Sequence, residues 1–157
     1  MSNQIHPTAH VSKDARIGEG TQIGANSYVG EGVVMGAHCK VGQNVSIGAK
    51  VALGDAVIVE DGADVLGPAW IEDGAHLYQG VRLGDELQCG KAGEGTTIIL
   101  HGSQIMDGAR IARGVKVGPK AMVRPSAHVV EDVKTGWVVS GDPAKLIFIL
   151  DVEGATI

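Results

Sequence analysis

The chain has 157 residues, 18 acidic against 13 basic, giving a net charge of −5, and glycine supplies 24 residues while aromatics make up only 3%. The length fits one domain, the charge leaves no basic surface for nucleic acid, and no apolar run reaches the roughly 20 residues of a membrane-spanning helix. The opening does not read as a signal peptide, so a cytoplasmic protein is expected.

From the start of the chain, every sixth residue is aliphatic or sulfur-bearing: Ile5, Val11, Ile17, Ile23, Val29, Met35, Val41, Ile47, Leu53, Val59, Val65, Ile71, Leu77, Leu83 and Cys89. A second series holds Ile99, Ile105, Ile111, Val117, Val123 and Val129. A small or branched residue stands two places before most of these anchors, as in Ala15, Thr21, Ser27, Val33, Cys39 and Val45. A six-residue period fits neither an α-helix nor an ordinary strand; it marks a parallel β-helix built from repeats. Each hexad supplies a short strand, whose anchor and preceding small residue point inward while the anchor's two neighbours face out. Glycine and short polar residues turn the corners. Three hexads close one triangular coil, so the two series predict seven coils, stacked at the ~4.8 Å strand spacing to roughly 30 Å. A narrow prism of this kind explains the glycine and the shortage of aromatics. Cys39 and Cys89 both fall on inward positions and read as small core residues.

Cys89 to Ile99 spans ten residues where six are expected, so the corner loop at 90–98 reads as a four-residue insertion. Loops that interrupt a rigid repeat array carry function. Beside it, one face is expected to present Ile58 with Glu60, then His76 with Tyr78, then Ile98 with Leu100, and His101 at the next corner. An exposed apolar patch of this kind points to an interface or a groove. Trp70 and Leu66 face outward on the other two sides and read as interface residues. Past Val129 the repeat decays, which divides the chain into a β-helix over 1–134 and a cap and tail over 135–157. Trp137 is the candidate plug for the open end of the core. Of the remaining histidines, His6, His10, His38 and His128 read as solvated.

The hexads resemble those of the hexapeptide-repeat acyltransferases over Ile5 to Ile147. The opening Ile5-His-Pro-Thr-Ala9 and Ala15-Arg-Ile-Gly-Glu-Gly20 are similar to the start of sugar-nucleotide members, and Val139-Ser-Gly-Asp-Pro-Ala-Lys-Leu-Ile147 to their closing V-x-G-N/V-P-A-K/R motif. Thr97 to Ile147 lies without gaps on the nucleotide-sugar N-acetyltransferases of this class. The resemblance implies an all-β, left-handed parallel β-helix, a hand that periodicity alone does not give and that runs against the usual crossover preference. It also implies a homotrimer that takes acetyl-CoA as cosubstrate between neighbouring prisms. Gly118, Lys120 and Ala121 map to the coil lining the pantetheine arm, and Lys134 and Lys145 are placed to meet the CoA phosphates. Where the relatives carry an adjacent Asn pair, this chain has Asp61-Gly62, so the acceptor does not transfer with the resemblance.

Acyl transfer needs a base within reach of the attacking amine or hydroxyl. His101 and His76 are the candidates, with His101 ranked first for its position beside the loop. Tyr78 and Glu60 are the candidate substrate-binding residues, and the acceptor is expected to be small or sugar-like. Ile99-Leu-His-Gly-Ser-Gln-Ile105 is also similar to the zinc-binding stretch of gamma-class carbonic anhydrases. Their ligand positions fall on Tyr78, Thr96 and His101, so two of the three ligands a catalytic zinc needs are replaced and no metal is expected. A β-helix scaffold without catalysis is the third reading.

Overall fold

The computed structural model describes residues 2–85 and 95–150. They form a three-sided column of parallel strands with no helix, and no described helix is long and apolar enough to cross a membrane. Its three sheets hold nine, seven and six strands, termed the first, second and third faces in the order the chain visits them. In the lower coils each strand lies beside the one eighteen residues later, as Ile5 beside Ile23 and Val41 beside Val59. This is the three-hexad coil, and the fold is the left-handed parallel β-helix of about seven turns.

The anchors and the small residues before them fill the interior. Ile47, Ile71, Leu77, Leu83, Ile105 and Ile111 are completely enclosed, as are Val33, Cys39, Val57 and Ala75. Cutting one such Leu or Ile to Ala typically costs about 2–5 kcal/mol. Hydroxyls on inward positions are satisfied locally: Ser27 Oγ donates to the Gly42 carbonyl at 2.7 Å, Thr21 Oγ1 to Gly36 at 3.0 Å and Ser103 Oγ to Gly118 at 2.8 Å. At the corners, aspartates of one coil accept backbone N–H groups of the coil below, as Asp55 does from Ala37 (2.8 Å) and Asp73 from Asp55 (2.7 Å). The ends differ. Ile5 is 42% exposed at the open first coil, whereas Val133, Val138 and Val139 close the other end.

The interruption is larger than the sequence reading has it. Ile71 pairs with Ile99, Leu77 with Ile105 and Leu83 with Ile111, an offset of twenty-eight where the lower coils have eighteen. The chain therefore leaves the second face after Arg82–Asp85 and re-enters the third at Thr97–Ile99 with ten extra residues, not four. Cys89 and residues 90–94 of the loop lie outside the described residues. The consequence is a change of face. Ile98 lies beside Trp70 on the third face, so the patch expected from Ile58 through His76 to Leu100 is split between two sides. On the first face, the rungs above His76 carry Gln104 and then Met122 at the same position.

The seventh coil is completed on the third face by Val133, bridged to Val117, and above it on the first face lies Val139, beside Val123. The strand that carries Val139, Trp137–Gly141, folds back through residues 142–143 into Ala144–Ile149, the single antiparallel pair among the described residues. Val138 faces outward yet is fully buried, because this hairpin sets Phe148 opposite it. Trp137 is half-buried and packs on the core.

Candidate functional site

Two histidine–glutamate pairs stand on different faces. On the first face, His76 and Tyr78 flank the buried anchor Leu77 and therefore both point outward. Their rings stack in parallel, 3.9 Å between centroids and 7° between planes. His76 Nε2 is hydrogen-bonded to Glu60 Oε2 from the coil below. Both partners are half-buried, the imidazole 26% exposed. Glu60 and Tyr78 are thus engaged with His76 rather than free. Asp61, in the place of the relatives' first asparagine, accepts the Gln43 N–H at 2.8 Å and so belongs to the corner ladder.

On the third face, His101 begins the corner after Leu100. Its backbone N–H donates to Glu72 Oε1 at 3.1 Å, and its ring Nδ1 lies 3.5 Å from the same oxygen. This imidazole is 56% exposed, so it meets solvent or ligand far more freely than His76. A cavity of about 280 Å³ opens beside it, lined by Gly54, Trp70, Glu72, Asp73 and His101. A side chain has no room at its Gly54 edge: a Cβ there would stand 2.7 Å from the backbone nitrogen of Asp73.

One coil further up the same face is a groove of about 620 Å³, lined by Leu100, Lys116, Gly118, Pro119, Lys134, Trp137 and Ile149 among others. Lys116 lies beside Ile98 in the strand ladder, and Gly118 sits so close to the next segment that a Cβ would meet Thr135 N at 2.6 Å. The Lys134 ammonium stands 5.5 Å from the Trp137 ring centre, a cation–π distance. Groove and cavity share one face, with Leu100 and His101 between them.

The structure brings Gly118 and Lys134 of the sequence-derived set together in this groove. Ala121 is buried in the core and has only backbone to offer. Lys120 sits at a corner in left-handed conformation, φ +56°. Lys145 lies on the outer hairpin strand opposite Ser140, not among the groove residues. Lys116 is a groove residue that the sequence reading did not single out, although it and Leu100 are outward positions on consecutive rungs of one face; Leu100 was read as part of an outward apolar patch and Trp137 as the plug of the core, neither as the wall of this groove.

Elsewhere, His10 stacks on Tyr28 at 5.7 Å beside an open-end cavity of about 480 Å³ whose lining also includes Asp14 and Glu31. His128, read from sequence as solvated, is instead 3% exposed and lies 3.2 Å from Asp142. Its rung is the last on the second face, and the hairpin turn covers it. Among the described residues no three His, Cys, Asp or Glu side chains gather to hold a metal; Tyr78 and His101 are on different faces. Burial keeps the Cys39 thiol protonated, pushing its pKa up.

Known proteins share both the repeat and the column. Residues 20–55 match the family model for the bacterial transferase hexapeptide (six repeats), and no curated protein sequence matches the chain. Among solved structures, a UDP-N-acetylglucosamine acyltransferase from Bacteroides fragilis superposes at TM-score 0.81 with 17% identity, over 94% of this chain and 61% of that one. The acetyltransferase domain of PglB from Neisseria gonorrhoeae in complex with acetyl coenzyme A gives 0.64 and 29%, over 92% and 57%. A hexapeptide-repeat acetyltransferase from Vibrio cholerae complexed with acetyl coenzyme A gives 0.59 and 18%, over 86% and 70%. The chain thus spans about three fifths of the length of the first two. In repeat and in architecture, it is a hexapeptide-repeat left-handed β-helix of the kind these acyltransferases share.

Proposed function

We propose that the chain transfers an acyl group, acetyl in the simplest case, from acyl-CoA to an amine or hydroxyl of a small, sugar-like acceptor in the cytoplasm. One observation carries this reading: the apolar, lysine-edged groove and the cavity of His101 adjoin on one face. The 29% identical acetyltransferase domain that binds acetyl coenzyme A supports it. In this reading the pantetheine arm lies along Leu100, Gly118 and Trp137, and Lys116 and Lys134 meet phosphates with charge-assisted hydrogen bonds. The acceptor enters the cavity by Trp70.

His101 takes a proton from the attacking nitrogen or oxygen as that atom bonds to the thioester carbonyl carbon. The carbon–sulfur bond then breaks, and the imidazolium returns its proton to the leaving thiolate. Glu72 holds the imidazole and balances its transient charge. His76, with Glu60 and Tyr78, is the second-ranked base. The active form is a homotrimer in this proposal, with Trp70 (51% exposed), Leu66 and Val34 along the edge between second and third faces as its apolar contact.

The test is ligand-induced stabilisation. Acetyl-CoA at about 100 times its Kd adds about 2.7 kcal/mol, so the melting temperature should rise clearly, and Lys134→Glu should abolish most of the rise. No rise at millimolar acetyl-CoA refutes the proposal.

A further inference from the structure

The buried His128 has a specific environment. Its Nδ1 meets Asp142 Oδ1 at 3.2 Å, and Arg110, its neighbour in the adjacent rung, donates from Nη2 to Asp142 Oδ2 at 3.2 Å. His128 Nε2 has no hydrogen-bond partner among the described residues. Enclosing an imidazole with one nitrogen unsatisfied costs free energy, so stability alone gives this position no reason to be histidine. Asp142 sits in the turn joining Trp137–Gly141 to Ala144–Ile149. It stands where the closing motif that the chain resembles has Asn or Val, so the negative charge between Arg110 and His128 is a feature of this sequence.

The outer hairpin strand needs such a tether. Among the described residues it pairs only with Trp137–Gly141 and has no strand on its far edge, and Leu146, Ile147 and Phe148 stay exposed. Beyond that pairing, it is tied at the groove end by the Leu150 N–H donating to the Gly136 carbonyl at 2.7 Å, and at the turn end by Asp142. Trp137 and Ile149 are partners across this hairpin, and both line the groove. We infer that Asp142, acting through Arg110 and His128, is a positioning residue that sets how the terminal hairpin walls the groove. The inference rests on the acyl-CoA reading only for its affinity readout; its structural half concerns the hairpin itself.

The experiment reads Trp137 emission in a Trp70→Phe background, where Trp137 is the remaining tryptophan. In chains otherwise unaltered, it also reads the acetyl-CoA KM and kcat. Asp142→Ala should red-shift the emission and raise KM about fivefold with kcat unchanged, the loss of one partly exposed charge-assisted contact. Asp142→Asn keeps an acceptor for the His128 Nδ1–H and should recover most of both. Arg110→Gln reads the same emission should Asp142→Ala not fold. Emission and KM at wild-type values in Asp142→Ala, whatever its melting temperature, overturn the inference. If wild-type protein binds no acetyl-CoA, the proposed function falls, and the emission shift alone decides this one.

Discussion

His76 and His101 each stand beside a glutamate from the coil below, but the two pairs differ in everything that surrounds them. His76 is stacked on Tyr78, bonded through Nε2 to Glu60 and three-quarters covered. His101 is more than half exposed, loosely paired with Glu72, and borders both a cavity and a groove. A base must reach its nucleophile and turn to hand the proton on. The first pair is built to stay in place and the second to meet a ligand. The difference teaches that a histidine–carboxylate pair is common furniture on a stacked array, where outward residues one rung apart always meet; the neighbouring empty space is what separates a site from a brace.

The sharpest way to break this comparison is to remove each imidazole. His101→Ala should lower kcat by about a hundred- to ten-thousandfold, the range for a lost general base, with the acetyl-CoA KM little altered. Near-wild-type turnover in that variant would transfer the assignment to His76. Glu72→Gln should have a smaller effect, roughly tenfold on kcat, because the amide still accepts the His101 N–H but no longer balances an imidazolium. The matched change Glu60→Gln supplies the comparison: equal losses from the two glutamates would erase the distinction between the faces.

Much of this was legible in the sequence, and the parts that were not have a common cause. The anchors from Ile23 to Leu83 lie inside the column, and Val11 and Ile17 are partly covered toward the open first coil, because a six-residue period admits only one inward register. Face assignment beyond the loop is another matter. Leu83 to Ile99 is sixteen residues, which reads equally as one hexad plus ten or two hexads plus four. Cys89, six residues after Leu83 and apolar, favours the second in sequence terms, yet Ile99 pairs directly with Ile71. One hexad of ambiguity rotates every later residue by one face, and it is what joins His76 to Leu100 in a reading of the sequence alone. The groove was half visible: Gly118 and Lys134 were marked by resemblance, whereas Trp137 and Ile149 enter it only because the hairpin folds back. The same fold-back buries His128 beneath Asp142, fourteen positions away, and local periodicity carries no trace of a contact of that kind.

The smallest expected effect is also the most discriminating. His76→Ala removes a half-exposed ion pair worth about 0–1 kcal/mol and a ring stack on Tyr78 worth about 0.5–1.5 kcal/mol. The loss should be about 1 kcal/mol, a fall in melting temperature of roughly 2–4 °C for a domain of this size, with turnover and acetyl-CoA affinity at wild-type levels. Leu77 beneath it is fully enclosed by its own neighbours, so the column has no reason to rearrange when the outer ring goes. A brace deleted from a rigid wall costs stability and nothing else, whereas a base deleted from a site costs rate. If His76→Ala slows catalysis as much as it destabilises the fold, the first face takes part in the reaction, and in a trimer it must then face the third face of a neighbouring copy.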